Sequence, residues 1–476
     1  MASDDDTKKE DELRRLLSNI PDRRAASIIK ALERDRLSGG SALPYSQILN
    51  ELRPALLRTN NQVARTPTPQ RLFCNCFEDI LLNGPRKEKQ AGRILRSSLD
   101  PMWYWLAEHA IADIHREQAQ KIAVAILGGN AAAATEETHI LCGAAGLAIE
   151  RRLKGVKPGS PEWRALADQV GSEDAVHDLA DMAACLEIAA ELAEIRAYFT
   201  KPTSHVDQDD VHFVRDIYRT VSDHLPASAP YLLLILAGRL AEPWVAITMA
   251  SQMSPSQAGV ILSKTDLAVV GDVMVDDLER LAEQVVATRH DHFDAERMGY
   301  QLNGFARLAK GLTETLGRMS EEEWLKRVRS AKVRVADAVE ALLERAPKVV
   351  TSALPLSVLS GFGKSTPRRP NLLKKPDPDL HARAVEYVRL LGELQFLANE
   401  LAISRTQIET TEEIGRFLDK YAEDVLIAIR HARDGEEQEI VFSHFGVALE
   451  IVKELRGPEE AQLLQRRGVA ASSAAA

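Results

Sequence analysis

The chain has 476 residues, 45% hydrophobic and 27% charged, which is too apolar for a wholly disordered polymer and too long for one compact core. Its 60 Lys and Arg against 70 Asp and Glu leave a net charge of −10. That balance excludes a uniformly basic, polyanion-binding surface but permits a local basic patch.

Residues 1–12 (MASDDDTKKEDE) are polar and acidic, with no apolar run of the kind a signal peptide carries, and predict a disordered tail. The four cysteines, Cys74, Cys76, Cys142 and Cys185, are too sparse for a disulfide framework and fit a reducing, cytoplasmic setting. Cys74-Asn75-Cys76 would need a second close pair to hold zinc. Its apolar flanks, among them Phe73, Phe77 and Ile80, predict buried thiols instead.

Residues 85–105 (PRKEKQAGRILRSSLDPMWYW) form the strongest local anomaly. Arg86, Lys87, Lys89, Arg93 and Arg96 face only Glu88 before Asp100, and Trp103 and Trp105 follow at once. A basic loop leading into aromatics suits an anion or a nucleic acid through charge and stacking, or a protein through a hot spot. The competing and preferred reading wedges Trp103 and Trp105 into the core.

From about residue 100 onward, helical grammar dominates. Ser160-Pro161-Glu162 reads as N-cap, Pro at the first position and an acid in the first turn, and Asp100-Pro101 has the same form. Ser254 with Gln257, Ser320 with Glu323 and Thr410 with Glu413 have capping-box spacing. From Glu173 to Phe199, Leu179, Met182, Leu186, Ala189, Leu192 and Ile195 step by three or four, which predicts one long amphipathic helix. The most apolar window, Ala229–Ala250, carries Arg239, Glu242 and Pro243 near its middle. It predicts two buried helices meeting at a tight turn and no membrane span.

Three groups combine His with acids. His177-Asp178, with Asp181 one turn on, resembles one element of the HD phosphohydrolases, an all-α metal-dependent family. The resemblance implies an upstream His and a later Asp as further ligands: His139 upstream, and Asp207, Asp209 or Asp210 downstream. It also implies a divalent metal holding a water for attack on phosphate. The plainer reading is a helix N-terminus whose acids complement the dipole. His205, Asp207, Asp209, Asp210, His212 and Asp216 cluster next, and His290 and His292 each precede an acid by one turn. Both read foremost as solvated i,i+4 faces. Glu136 to His139 is a single Glu-x-x-His, where a di-iron bundle needs two.

Residues 348–379 hold Pro355, Pro367, Pro370, Pro376 and Pro378 and predict a linker. SGFGKST at 360–366 ends like a P-loop, but Val358 stands where its first Gly belongs and prolines follow where a helix must start. Beyond the linker, stripes starting at Leu380, Ile414 and Val441 predict a three-helix bundle.

The sequence therefore predicts an all-α chain. It has a multi-helix, solenoid-like array over 13–350, a linker over 351–379, a bundle over 380–456 and a disordered end over 467–476. Its leading functional reading is a non-catalytic cytoplasmic scaffold or regulatory adaptor that binds other proteins and takes no cofactor. The alternatives are an HD-type phosphohydrolase with His139, His177 and Asp178 on a divalent metal, and an anion or nucleic-acid module using residues 86–105.

Overall fold

A computed structural model describes residues 67–473, except Pro85, Lys87, 254–261, 290–292, 359–367 and 433–434, together with Ile28, Ile29, Ala31, Leu32, Ile48 and Leu52. The SGFGKST segment, the Ser254/Gln257 box, His290 and His292 lie outside the described residues. Within them the chain is all-α, and sheet is confined to two short pairs. No helix is long and apolar enough to cross a membrane.

The chain divides into two compact units: residues 1–75 with 103–145, and residues 76–102 with 146–476. In the first, Thr68 caps helix α1 (Pro69–Phe73) by accepting from Arg71 N at 3.2 Å. Helix α2 (Leu99–Trp105) gives this unit its last three residues, among them Trp103 and Trp105, while Asp100, in its first turn instead of capping it, belongs to the second unit. Helix α3 (Ala112–Leu127) buries His115, Gln118 and Ile122, the i, i+3, i+7 face. Gly128 and Gly129 then turn the chain, with Gly129 at φ +68°, into helix α4 (Ala131–Leu153).

The second unit begins with two tiny parallel strands, β1 (Leu81–Leu82) and β2 (Ile94–Leu95), which pair Leu81 with Ile94 and Leu82 with Leu95. Helix α5 (Pro161–Val170) starts as its grammar predicts, Ser160 Oγ accepting from Trp163 N at 3.2 Å. The stretch 173–199 is two helices, α6 (Glu173–Glu187) and α7 (Ala189–Tyr198). Ile188 lies off the stripe of an unbroken helix, and the break at that residue brings it to 1% exposure. Helix α8 (Gln208–His224) follows, and then α9 (Pro230–Ala237) and α10 (Val245–Met253), which meet near Pro243 as the apolar window predicts.

Helices α11 (Ala268–Val286), α12 (Ala295–Met319) and α13 (Glu322–Leu343) pack mutually. Ser320 does not start a helix: at φ +58° it ends α12, and Glu321 precedes α13. Helix α14 (Ala346–Ala353) leads to the antiparallel strands β3 (Leu356–Val358) and β4 (Arg368–Pro370). The Pro-rich stretch is thus anchored at both ends, and β4 contacts the helix that follows Ile403.

Helix α15 (Pro378–Leu394) packs on both α12 and α14. Helix α16 (Ser404–His431) runs straight through Thr410 and Glu413, so their capping spacing is a coincidence inside a helix. Helix α17 (Gly435–Arg456) carries the third stripe, and α18 (Pro458–Ser473) adds a fourth helix. The end beyond Arg467, expected to be disordered, is helical to Ser473. Pro458, Glu459 and Glu460 form its first turn, and Gly468 lies against the Phe445 ring.

Candidate functional site

The two strongest anomalies of the sequence, the basic loop and the His177-Asp178 pair, meet in the second unit. Ser172 caps α6 by accepting from Ala175 N at 3.2 Å. Asp174, Asp178 and Asp181 follow at i, i+4 and i+7, one face near the positive end of the helix dipole. Chain 86–98 lies on that face. Ile94 and Leu95 are buried and carry β2, which contacts α6.

Asp178 has no solvent exposure. Its Oδ1 lies 2.5 Å from Arg86 Nη1 and 2.8 Å from Lys89 Nζ. Its Oδ2 accepts from Leu95 N at 3.0 Å and from Ser98 Oγ at 2.8 Å. Asp181 accepts from Gly92 N at 3.1 Å and from the Tyr231 hydroxyl, and it ion-pairs with Lys89. Burial, ahead of the Asp181 charge, drives the Tyr231 hydroxyl far above the usual phenol range, so it stays protonated and donates. The remaining basic residues are paired too: Arg93 with Asp277, and Arg96 with Glu78 at 3.0 Å and with Asn83 at 2.9 Å. Lys87 lies outside the described residues.

A second carboxylate hub sits in the same unit. Asp79 meets Arg196 at 3.3 Å, Arg239 at 3.0 Å and Lys201 at 3.1 Å. Arg239 also donates to the Phe199 and Arg196 carbonyls, at 2.6 and 3.1 Å. Gly238 is required at this contact, because a Cβ there would lie 2.4 Å from the Asp79 carbonyl oxygen.

The implied HD ligands are carried by different helices. His139 is on α4 in the first unit, whereas His177 and Asp178 are on α6 in the second. The His177 ring packs on Trp163 with centroids 4.6 Å apart. Asp207 caps α8 in a capping box with Asp210, while His205, His212 and Asp216 are exposed. Among the described residues no group of three or more His, Cys, Asp or Glu is placed to hold a metal ion. The four cysteines are buried thiols.

In the first unit Trp103 is 9% exposed, its ring 5.2 Å from Phe73 and 4.2 Å from His115. Trp105 is buried as well, so of this aromatic run only Tyr104 is exposed. These contacts remove both indoles from any stacking surface.

Sequence reasoning missed Tyr231, Ser98, Asp79, Arg239 and Asp277, whose partners lie tens of residues away with no shared periodicity. The position of Asp181 on the Asp178 face was the one signal of the network open to inspection. Comparisons of the chain with protein-family models, with curated proteins and with solved structures found no match.

Proposed function

We propose that this chain is a non-catalytic helical scaffold or regulatory adaptor that binds other proteins. One contrast supports the reading. The charged residues with the most chemical promise bond to one another inside the fold, while large apolar side chains stand in solvent. Tyr300 is 83% exposed and Phe396 85%. Tyr300 is on α12, where Gly299 lies against the Glu393 side chain of α15, and Phe396 follows the end of α15 by two residues. Exposed aromatics on a rigid helical frame are typical anchors of protein interfaces.

The test is native mass spectrometry of the full chain isolated gently from its own cells without chelator. The scaffold reading expects a polypeptide partner at fixed stoichiometry, lost from a Tyr300→Ala/Phe396→Ala variant whose melting curve is unchanged. A stoichiometric divalent metal together with phosphoester hydrolysis would overturn it in favour of the HD reading.

A further inference from the structure

Two helices of the first unit each carry a second face that the fold leaves open. On α4, Ala134, Thr138, Leu141 and Ala145 recur at i, i+4, i+7 and i+11 and are buried. The neighbouring stripe, Ala133, Glu137, Ile140 and Ala144, has the same spacing but is only partly covered, with Ile140 49% exposed. On α3, His115, Gln118 and Ile122 are buried, while Glu117, Lys121, Val124 and Gly128 repeat that spacing on a side exposed to solvent. The two open stripes meet at the Gly128–Gly129 turn, and both line a cleft of about 600 Å³. A helix that is apolar on more than one side is normally covered on more than one.

One surface here supplies both a projection and a recess. Val124 is 63% exposed, and Leu127, at the rim one residue before Gly128, is 88% exposed. Ala125, Gly128 and Ala133 line the cleft beside them with little or no side chain. A surface that is its own complement is what a two-fold interface between identical chains requires. Two helical hairpins packed across such an axis make a four-helix bundle.

The charges favour the same occupant. A net charge of −10 sets two copies of the chain against each other in general. This face carries both signs. Lys121 bonds to Glu117 at 2.8 Å, and Glu137 Oε2 is buried with no hydrogen-bond donor among the described residues. A buried carboxylate oxygen without a donor is costly. An ammonium has three N–H groups, so one lysine can serve two carboxylates.

We propose that the α3–α4 face is an interface between two copies of this chain. Val124 and Leu127 of each copy enter the cleft of the other, and Lys121 of each donates across the axis to the other's Glu137. The interface uses neither Tyr300 nor Phe396. Sedimentation velocity of the full chain between about 1 and 100 µM tests it, a range that spans micromolar dimerisation. The mass is expected to rise with concentration from one chain toward two. Val124→Ser/Leu127→Ser changes two solvent-exposed side chains and should weaken dimerisation by roughly tenfold or more while leaving the circular dichroism melt unchanged. Tyr300→Ala/Phe396→Ala should dimerise as the wild type does, so the dimer and the adaptor's partner surface are tested separately. A single-chain mass at every concentration overturns the proposal. So does a folded Val124→Ser/Leu127→Ser variant that dimerises as tightly as the wild type, or a dimer lost only in the aromatic variant.

Discussion

Arg86 reaches across 92 positions of sequence to set its Nη1 2.5 Å from Oδ1 of Asp178, a carboxylate with no exposure to solvent. The Arg86 side chain is itself only 7% exposed. A buried ion pair of this kind is costly to desolvate and is retained only where further hydrogen bonds complete it, as Leu95 N, Ser98 Oγ and Lys89 do here. The pair fixes the path of the 86–98 chain over α6.

Removing one partner leaves the other charge buried and alone. Asp178→Ala is expected to destabilise the second unit by about 3–5 kcal/mol, a far larger loss than that of a solvent-screened, exposed pair such as Arg405–Glu409. Urea denaturation midpoints followed by circular dichroism give both values.

Helix packing here depends on missing side chains. A Cβ on Gly271 would lie 2.4 Å from the Trp324 ring, whose indole N–H donates to Asp272 at 2.7 Å. Gly271→Ala should therefore destabilise by about 1–3 kcal/mol despite its gain in helix propensity, and it should shift tryptophan fluorescence. A neutral or stabilising effect would show that α11 and α13 adjust freely.

His444 is fully buried, with Nδ1 2.8 Å from the Tyr421 hydroxyl and Nε2 2.9 Å from the Lys374 carbonyl. The carbonyl only accepts, so Nε2 carries the proton and Nδ1 accepts from Tyr421. Burial lowers the His444 pKa, against a smaller opposing effect of the Lys374 carbonyl, and burial also lowers that of His115. The unfolded chain therefore binds these protons first. Stability is full above the unfolded value near 6.5 and declines as pH falls from there toward the folded values. His444→Gln should flatten part of that decline, read as urea midpoints between about pH 7.5 and 5.

Thiol chemistry gives an independent check on burial. The Cys185 pKa is raised well above its ordinary value, by burial first and then by the Cys76 and Asp181 charges. Cys74, Cys76 and Cys142 are buried too. Iodoacetamide at about pH 8 is expected to leave all four unmodified in the native protein and to modify all four in urea, as counted by mass.

Much of the fold was legible because helix periodicity is local. Ser160, the Pro243 turn and the Leu380, Ile414 and Val441 stripes announce themselves within a dozen residues. What misled was equally local. Thr410 and Glu413 have capping spacing inside a helix, because Ile403 and Gln407 already bury its preceding turns. Ser320 has N-cap chemistry yet closes α12 in a left-handed turn. The charge network was illegible for a different reason. A basic loop and a His-Asp helix each look like a binding site when read alone, and nothing in either segment encodes that the other will neutralise it.

That Arg86 and Asp178 hold each other is the central claim, and a double-mutant cycle measures it directly. Arg86→Met, Asp178→Leu and the double variant would be compared with the wild type by urea denaturation. Direct coupling in a buried site predicts an interaction energy of about 2 kcal/mol or more, with the double variant more stable than the sum of the single losses implies. Additive losses, with a coupling below about 0.5 kcal/mol, would contradict the pairing and reopen Asp178 as a ligand for something else.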